Sequence, residues 1–215
     1  MSEIKSMKLY THVERIYREL GELGITVDDP LSVDELCAFD QLHYHGTHAL
    51  DVAMAMIGID GAPRWLEIGS GLGGPARYIA AYSDTRITAL ELQPDQHEIA
   101  QSLTARCGLA DRIEHVCGDI HRFGRADGSF DAIVSWLALY HIPERPRLLQ
   151  KCYQLLAPGG CFYAEDLSAR GDITEAQKQQ LRRELYAITL RRIDQYRQDL
   201  EDAGFVVESL SLIHI

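Results

Sequence analysis

The chain has 215 residues, 46% of them hydrophobic and 25% charged, which excludes disordered and fibrous classes and suits a single globular domain. Lys+Arg 21 against Asp+Glu 32 leaves a net charge of −11, the wrong sign for neutralising phosphates, so no nucleic-acid partner is expected. Five cysteines (Cys37, Cys107, Cys117, Cys152 and Cys161) form no C-x-x-C pair, the first twenty residues lack the apolar middle of a signal peptide, and no apolar run approaches the ~20 residues of a spanning helix. The expectation is a cytoplasmic protein with reduced thiols and no membrane span.

Ile4, Met7, Val13, Ile16, Tyr17 and Leu20 recur at helical spacing and predict an amphipathic helix over 4–23. Ser32 and Glu35 have the spacing of a capping box and open a second helical region, which reads as two helices meeting near Gly46. From Ala62 the period changes. Strand-like RWLEIG, RITALEL, RIEHVCGD, FDAIVSW and GCFYAED alternate with helical PARYIAAY, PDQHEIAQSLTARCG and RPRLLQKCYQLL. Such alternation implies crossover connections and a parallel sheet with helices on both faces. Thr174 and Gln177 form a second capping-box pattern, predicting a long helical region over 174–203 that stops at Gly204. FVVESLSLIHI then reads as a β-type run to the last residue. The predicted organisation is a helical cap over 1–60 and an α/β core over 61–215.

WLEIGSGLGGPARYIA reads strand, glycine turn, helix, and the glycines permit backbone approach to a nucleotide-like ligand. Gly69, Gly71 and Gly74 also satisfy G-x-G-x-x-G, so a dinucleotide loop and an NAD-linked oxidoreductase have to be weighed. Glu67, two residues before the first glycine, would face a pyrophosphate unfavourably but suits a ligand with an ammonium and no phosphate. S-adenosylmethionine (SAM) is such a ligand. Glu91 ends the second strand, near the spacing at which an acid accepts from ribose hydroxyls. Asp119, after the third strand, can accept from an adenine amino group. The set favours SAM.

LEIGSGLGG, ALEL, CGDI, FDAIVSWLALYHI and LLQKCYQLLAPGGCFYAEDL together resemble the class I SAM-dependent methyltransferases, over about residues 40–210. Within them the chain looks most like small-molecule enzymes of the phosphoethanolamine, sterol and tocopherol type. The resemblance implies a Rossmann-like sheet with an N-terminal helical cap, SAM as cofactor, and methyl transfer to a small-molecule acceptor, nitrogen first among the candidate atoms. It assigns Gly69 and Gly71 to the methionine part of SAM, Glu91 to the ribose, and Leu92, Asp119 and Ile120 to the adenine, with Leu42 and His43 closing over the cofactor. His141 matches a histidine that organises the acceptor amine. Leu137 and Leu167 stand where the phosphoethanolamine enzymes carry an acid and a tyrosine.

Trp136 and Tyr140 flank His141 and read either as core aromatics or as faces of a cage for a cation. Other acceptor atoms (oxygen, sulfur, carbon) and a non-catalytic SAM-binding domain stay open as alternatives. The cluster His43, Tyr44, His45 and His48 brings no acid or cysteine at ligand spacing, so no metal is expected. The resembling fold closes with a sixth strand and an antiparallel seventh, whereas here the chain stops within the expected sixth. Residues 210–215 also match the translation of a sequencing adapter. The expectation is a native sequence ending near Ser209 in a protein that continues, with the seventh strand missing.

Overall fold

The computed structural model describes residues 14–58 and 60–212; residues 4–13 of the predicted first helix, with Tyr10, lie outside them. Eight helices and seven strands are present among the described residues. They run α1 (Arg15–Glu22), α2 (Val33–Asp40), α3 (Thr47–Ile57), β1 (Arg64–Ile68), α4 (Gly74–Tyr82), β2 (Arg86–Glu91), α5 (Pro94–Arg106), β3 (Ile113–Cys117), β4 (Phe130–Trp136), α6 (Arg145–Leu155), β5 (Leu156–Glu165), β6 (Ser168–Ala169), α7 (Glu175–Leu185), β7 (Arg191–Arg192) and α8 (Ile193–Asp202). The main sheet has the order β3-β2-β1-β4-β5, and every pairing in it is parallel. The chain therefore reverses its direction of winding between β1 and β4. A crevice opens outside the carboxyl ends of the strands at such a point.

The alternation of β1 shows how the sheet is held. Trp65 packs on one face with Leu50 of α3 and Ala76 and Ile79 of α4, while Leu66 and Ile68 pack on the other with Leu148 and Cys152 of α6. Both faces are covered, which is why the strands read as nearly continuous apolar runs. A third cluster joins Ile16 and Leu20 of α1 and Leu36 of α2 to Leu72 and to Ile99 and Leu103 of α5. The cap helices thus sit on the core by ordinary apolar burial.

One polar contact pins them further. Asp40, the last residue of α2, accepts from the Arg77 guanidinium of α4 at 2.8 Å, and both side chains are almost wholly buried. Arg77 also donates to the Thr104 hydroxyl and the Ala100 carbonyl, so the charge is compensated from two sides.

Two expectations are corrected. The helix predicted over 174–203 keeps its capping box at Thr174 and Gln177 but breaks after Leu185. Tyr186 takes a left-handed φ of 50°, and the Ile188 and Thr189 amides donate to the Tyr140 carbonyl at 2.8 and 3.0 Å. The chain then pairs β7 with β6 before α8 begins. α7 buries no side chain, so apolar packing does not hold a continuous helix against these competing bonds. The β-type run after Gly204 forms no strand over 205–212. Phe205 is used instead as a packing residue against Tyr153 and Phe162, and Val206 is 88% exposed. Among the described residues, β5 pairs only with β4.

Removing one member of the buried ion pair leaves the other uncompensated. Asp40→Ala is expected to lower the unfolding free energy by about 3–5 kcal/mol, read as a shift of the urea midpoint at unchanged slope.

Candidate functional site

The loop after β1 is shaped by contact with the loop after β4. Gly69 has φ +74°, and a Cβ there would lie 2.4 Å from the Cβ of Ala138. No side chain fits. The Gly69 and Ser70 amides donate to the Leu90 carbonyl at 2.9 and 3.1 Å, which ties the loop to the end of β2, and Pro75 sits in the first turn of α4. The Leu137 backbone, at the end of β4, takes φ 53°, strain for a side-chain-bearing residue, and is held there by its amide donating to the Glu165 carbonyl at 2.8 Å.

These loops bound one cavity. All twelve residues singled out from the sequence line it: Leu42, His43, Glu67, Gly69, Gly71, Glu91, Leu92, Asp119, Ile120, Trp136, Tyr140 and His141. Leu137, noted from the resemblance, lines it too, as do Asp40, Gln93, Gln96 and His121, which were not foreseen. Gln93 and Gln96 belong to the QPDQ start of α5, whose position just beyond Glu91 was the available signal. Asp40 carries no motif.

Glu91 accepts from the Gly71 amide with one oxygen and from the Gln93 amide with the other, each at 2.8 Å. Its carboxyl is pushed up by burial and held down in part by those amides. Glu67 is buried and one of its oxygens, Oε2, has no partner. Burial, the largest cause, pushes its carboxyl up to about 8, against a smaller lowering by Arg77. Asp119 caps the short turn Ile120–Arg122 by accepting from the His121 amide at 3.0 Å, and the His121 ring bonds the Pro143 carbonyl. Trp136 is a buried member of the sheet core and also lines the cavity.

His141 lies in the short turn Leu139–His141 after β4. Its Nδ1 is 3.0 Å from the Tyr186 carbonyl, so the neutral ring carries its hydrogen on Nδ1 and its lone pair on Nε2. Burial holds its pKa below the usual histidine range. The Tyr140 ring stacks beside it, 4.0 Å between centroids.

The acid side chains of Asp40, Glu67, Glu91 and Asp119 line the cavity, and among the described residues no lysine or arginine does. A pyrophosphate would meet negative charge without a cation to pair with, whereas a positively charged ligand is favoured. The orphaned Glu67 oxygen, the acids at the ends of β2 and β3 and the apolar Leu92 and Ile120 fit a ligand joining an amino acid, a sulfonium and an adenosine.

Comparison with known proteins agrees. The methyltransferase domain family matches residues 66–164. Residues 66–164 thus resemble the methyltransferase domain of that family. The chain is 37% identical over 108 residues to the sterol 24-C-methyltransferase of Neurospora crassa, a match covering 50% of this chain and 28% of that one. It is 31% identical over 140 residues to the sarcosine/dimethylglycine N-methyltransferase of Halorhodospira halochloris, covering 65% and 50%. The chain thus spans half or less of the length of these relatives. In fold it resembles the phosphoethanolamine N-methyltransferase 2 of Haemonchus contortus solved with SAM, with a TM-score of 0.70, 20% identity, and coverage of 79% of this chain and 39% of that one. The cavity lining fits SAM as the cofactor such a domain would hold.

Glu91 is expected to be its most sensitive polar contact. Glu91→Ala should weaken SAM binding by about 1–3 kcal/mol through lost charged hydrogen bonds, measured by calorimetric titration; an unchanged dissociation constant would remove Glu91 from the binding set.

Proposed function

We propose that the chain is a SAM-dependent methyltransferase acting on a small-molecule acceptor, with nitrogen as the atom methylated. The carrying observation is His141, a neutral, half-enclosed imidazole at the carboxyl end of β4 that lines the same cavity as the acids. Bound SAM supplies a methyl group already activated by its sulfonium, so the chain's part is to align the acceptor and exclude water.

In this reading Glu67 meets the amino-acid ammonium and the Gly69 and Gly71 backbone its carboxylate end. Glu91 takes the ribose, and Leu92, Asp119 and Ile120 take the adenine. Leu42 and His43 cover the site, and Trp136 and Tyr140 offer ring faces to positive charge. His141 Nε2 takes a proton from the acceptor nitrogen and so frees its lone pair. Leu137, in place of an acid, makes the acceptor side more apolar than a phosphoethanolamine site would need. Similarity to a sterol C-methyltransferase supports a second reading in which the acceptor atom is carbon.

The direct test is methylation of a panel of amines, thiols, phenols and sterols by the purified chain with labelled SAM. His141→Ala should lower kcat by about 10²–10⁴ while leaving SAM affinity nearly unchanged, as befits a group acting on the acceptor. Since burial lowers the His141 pKa, activity should hold through neutral pH and fall only on the acid side of the ordinary histidine range. Equal losses in turnover and SAM binding would place His141 outside acceptor chemistry, and SAM binding with no methylation of any acceptor would leave a non-catalytic domain.

Glu67 gives a separate signature. Its carboxyl is pushed up to about 8, so at pH 7 it is mostly protonated before binding. A cationic ligand lowers that value, so binding should release up to one proton. Calorimetry at pH 7 in buffers of different ionisation enthalpy measures the release, and Glu67→Gln should abolish it.

A further inference from the structure

One buried acid to which the sequence assigned no role lacks a cation of its own. Glu165 is the last residue of β5, in register with Trp136. Its side chain is 10% exposed, and its Oε2 has no hydrogen-bond partner. The basic group facing it is His43, whose Nδ1 is 3.8 Å from that oxygen and whose side chain is 1% exposed.

The surroundings of His43 fix its protonation. Nε2 is 2.9 Å from the Gln41 side-chain oxygen and Nδ1 is 3.0 Å from the Tyr44 carbonyl. Gln41 cannot turn its amide nitrogen to the ring without losing the bond that nitrogen donates to Asp40 at 3.0 Å. Both ring nitrogens thus face oxygen acceptors, and only the imidazolium donates from both. A neutral ring would set one nitrogen lone pair against an oxygen. The other charges nearby are already matched. Asp40 pairs with Arg77, and Asp166, next to Glu165, pairs with Arg145. The remaining groups facing the pair are the rings of Trp136, 5.1 Å from His43, and of Tyr163, 5.5 Å from Trp136, and Tyr163 is kept neutral by burial.

We propose that Glu165 is the positioning residue of the segment 41–46: its carboxylate is the counter-ion of a doubly protonated His43, and this shared proton holds Leu42 and His43 against the cofactor cavity. The pair rests on geometry alone, and its consequence for SAM rests on the function proposed above. Burial pushes the Glu165 carboxyl up to about 7 and lowers His43. Each direction reflects the cost of one charge buried alone, and a pair holding one proton between them avoids both. The proton is bound at low pH and lost as the pH rises through neutrality. Its loss breaks one ring bond to the segment.

Trp136 reports on this without any ligand, because an imidazolium beside an indole quenches its emission. In the full chain, tryptophan fluorescence from about pH 5 to about pH 9 should rise through a midpoint near neutrality, and Trp136→Phe should remove the rise. Glu165→Gln, checked for native circular dichroism, should move the midpoint down by about 1 pH unit or more because the opposite charge is gone. The ratio of SAM affinity in the parent chain to that in Glu165→Gln, from which the Glu67 titration common to both cancels, should fall several-fold as the pH rises through the parent midpoint. A midpoint unmoved by Glu165→Gln, or no titration at Trp136, overturns the pair. A moved midpoint with a pH-independent affinity ratio overturns the positioning role. A moved midpoint in a chain that binds no SAM at any pH upholds the pair and sinks the methyl-donor reading.

Discussion

The close approach of the loop after β1 to the loop after β4 is the constraint on which the rest of the molecule depends. With Ala138 Cβ only 2.4 Å from where a Cβ of Gly69 would stand, the two loops can meet only because position 69 is glycine. Their meeting forms the floor of the cavity, aims the Gly71 amide at Glu91, and sends the chain on to the turn that carries Tyr140 and His141. The sheet order β3-β2-β1-β4-β5 brings those loops side by side, and burial of both sheet faces keeps them there.

The second organising feature is electrostatic. A chain with net charge −11 gathers four acids around one cavity, of which Asp40 is paired with Arg77, while Arg145 is committed to Asp166. Burying an acid without a partner is costly, and Glu67 answers by holding its proton. That cost is repaid when a cationic ligand arrives. The same logic separates SAM from a dinucleotide more sharply than the glycine spacing, which serves both.

What was legible in the sequence followed from period and punctuation. The five main strands, the helices between them, and the division of the cap near Gly46 are readable because each segment's apolar spacing agrees with its final environment. The acids at strand ends were readable for the same reason, since a strand that ends in Glu91 or just before Asp119 can present it only at the crevice. Misreadings fell where tertiary bonds decide. The apolar alternation of FVVESL resembles a strand, yet Phe205 is drawn into packing with Tyr153 and Phe162. The break after Leu185 is set by the Tyr140 carbonyl, 45 or more residues away in sequence, which no local pattern announces. Asp40 and Glu165 were missed because their importance comes from one long-range neighbour each: Arg77 and His43.

The break in the predicted long helix has its own role in the site. Tyr186, left-handed at that break, offers the carbonyl that holds His141 Nδ1, and Ile188 and Thr189 return two amides to Tyr140. Asp166 accepts from the Tyr140 amide at 3.2 Å and faces Arg145, whose guanidinium lies 3.9 Å from the Tyr196 ring centroid of α8 and pairs with Asp199. The turn bearing His141 is therefore clamped on one side by the 186–189 segment and on the other by a buried network running into α8. A continuous helix over 174–203 would leave the His141 Nδ1 without its acceptor, and nothing would then select the tautomer that places a lone pair on Nε2. The departure from the local helical pattern is what fixes the tautomer of this cavity imidazole.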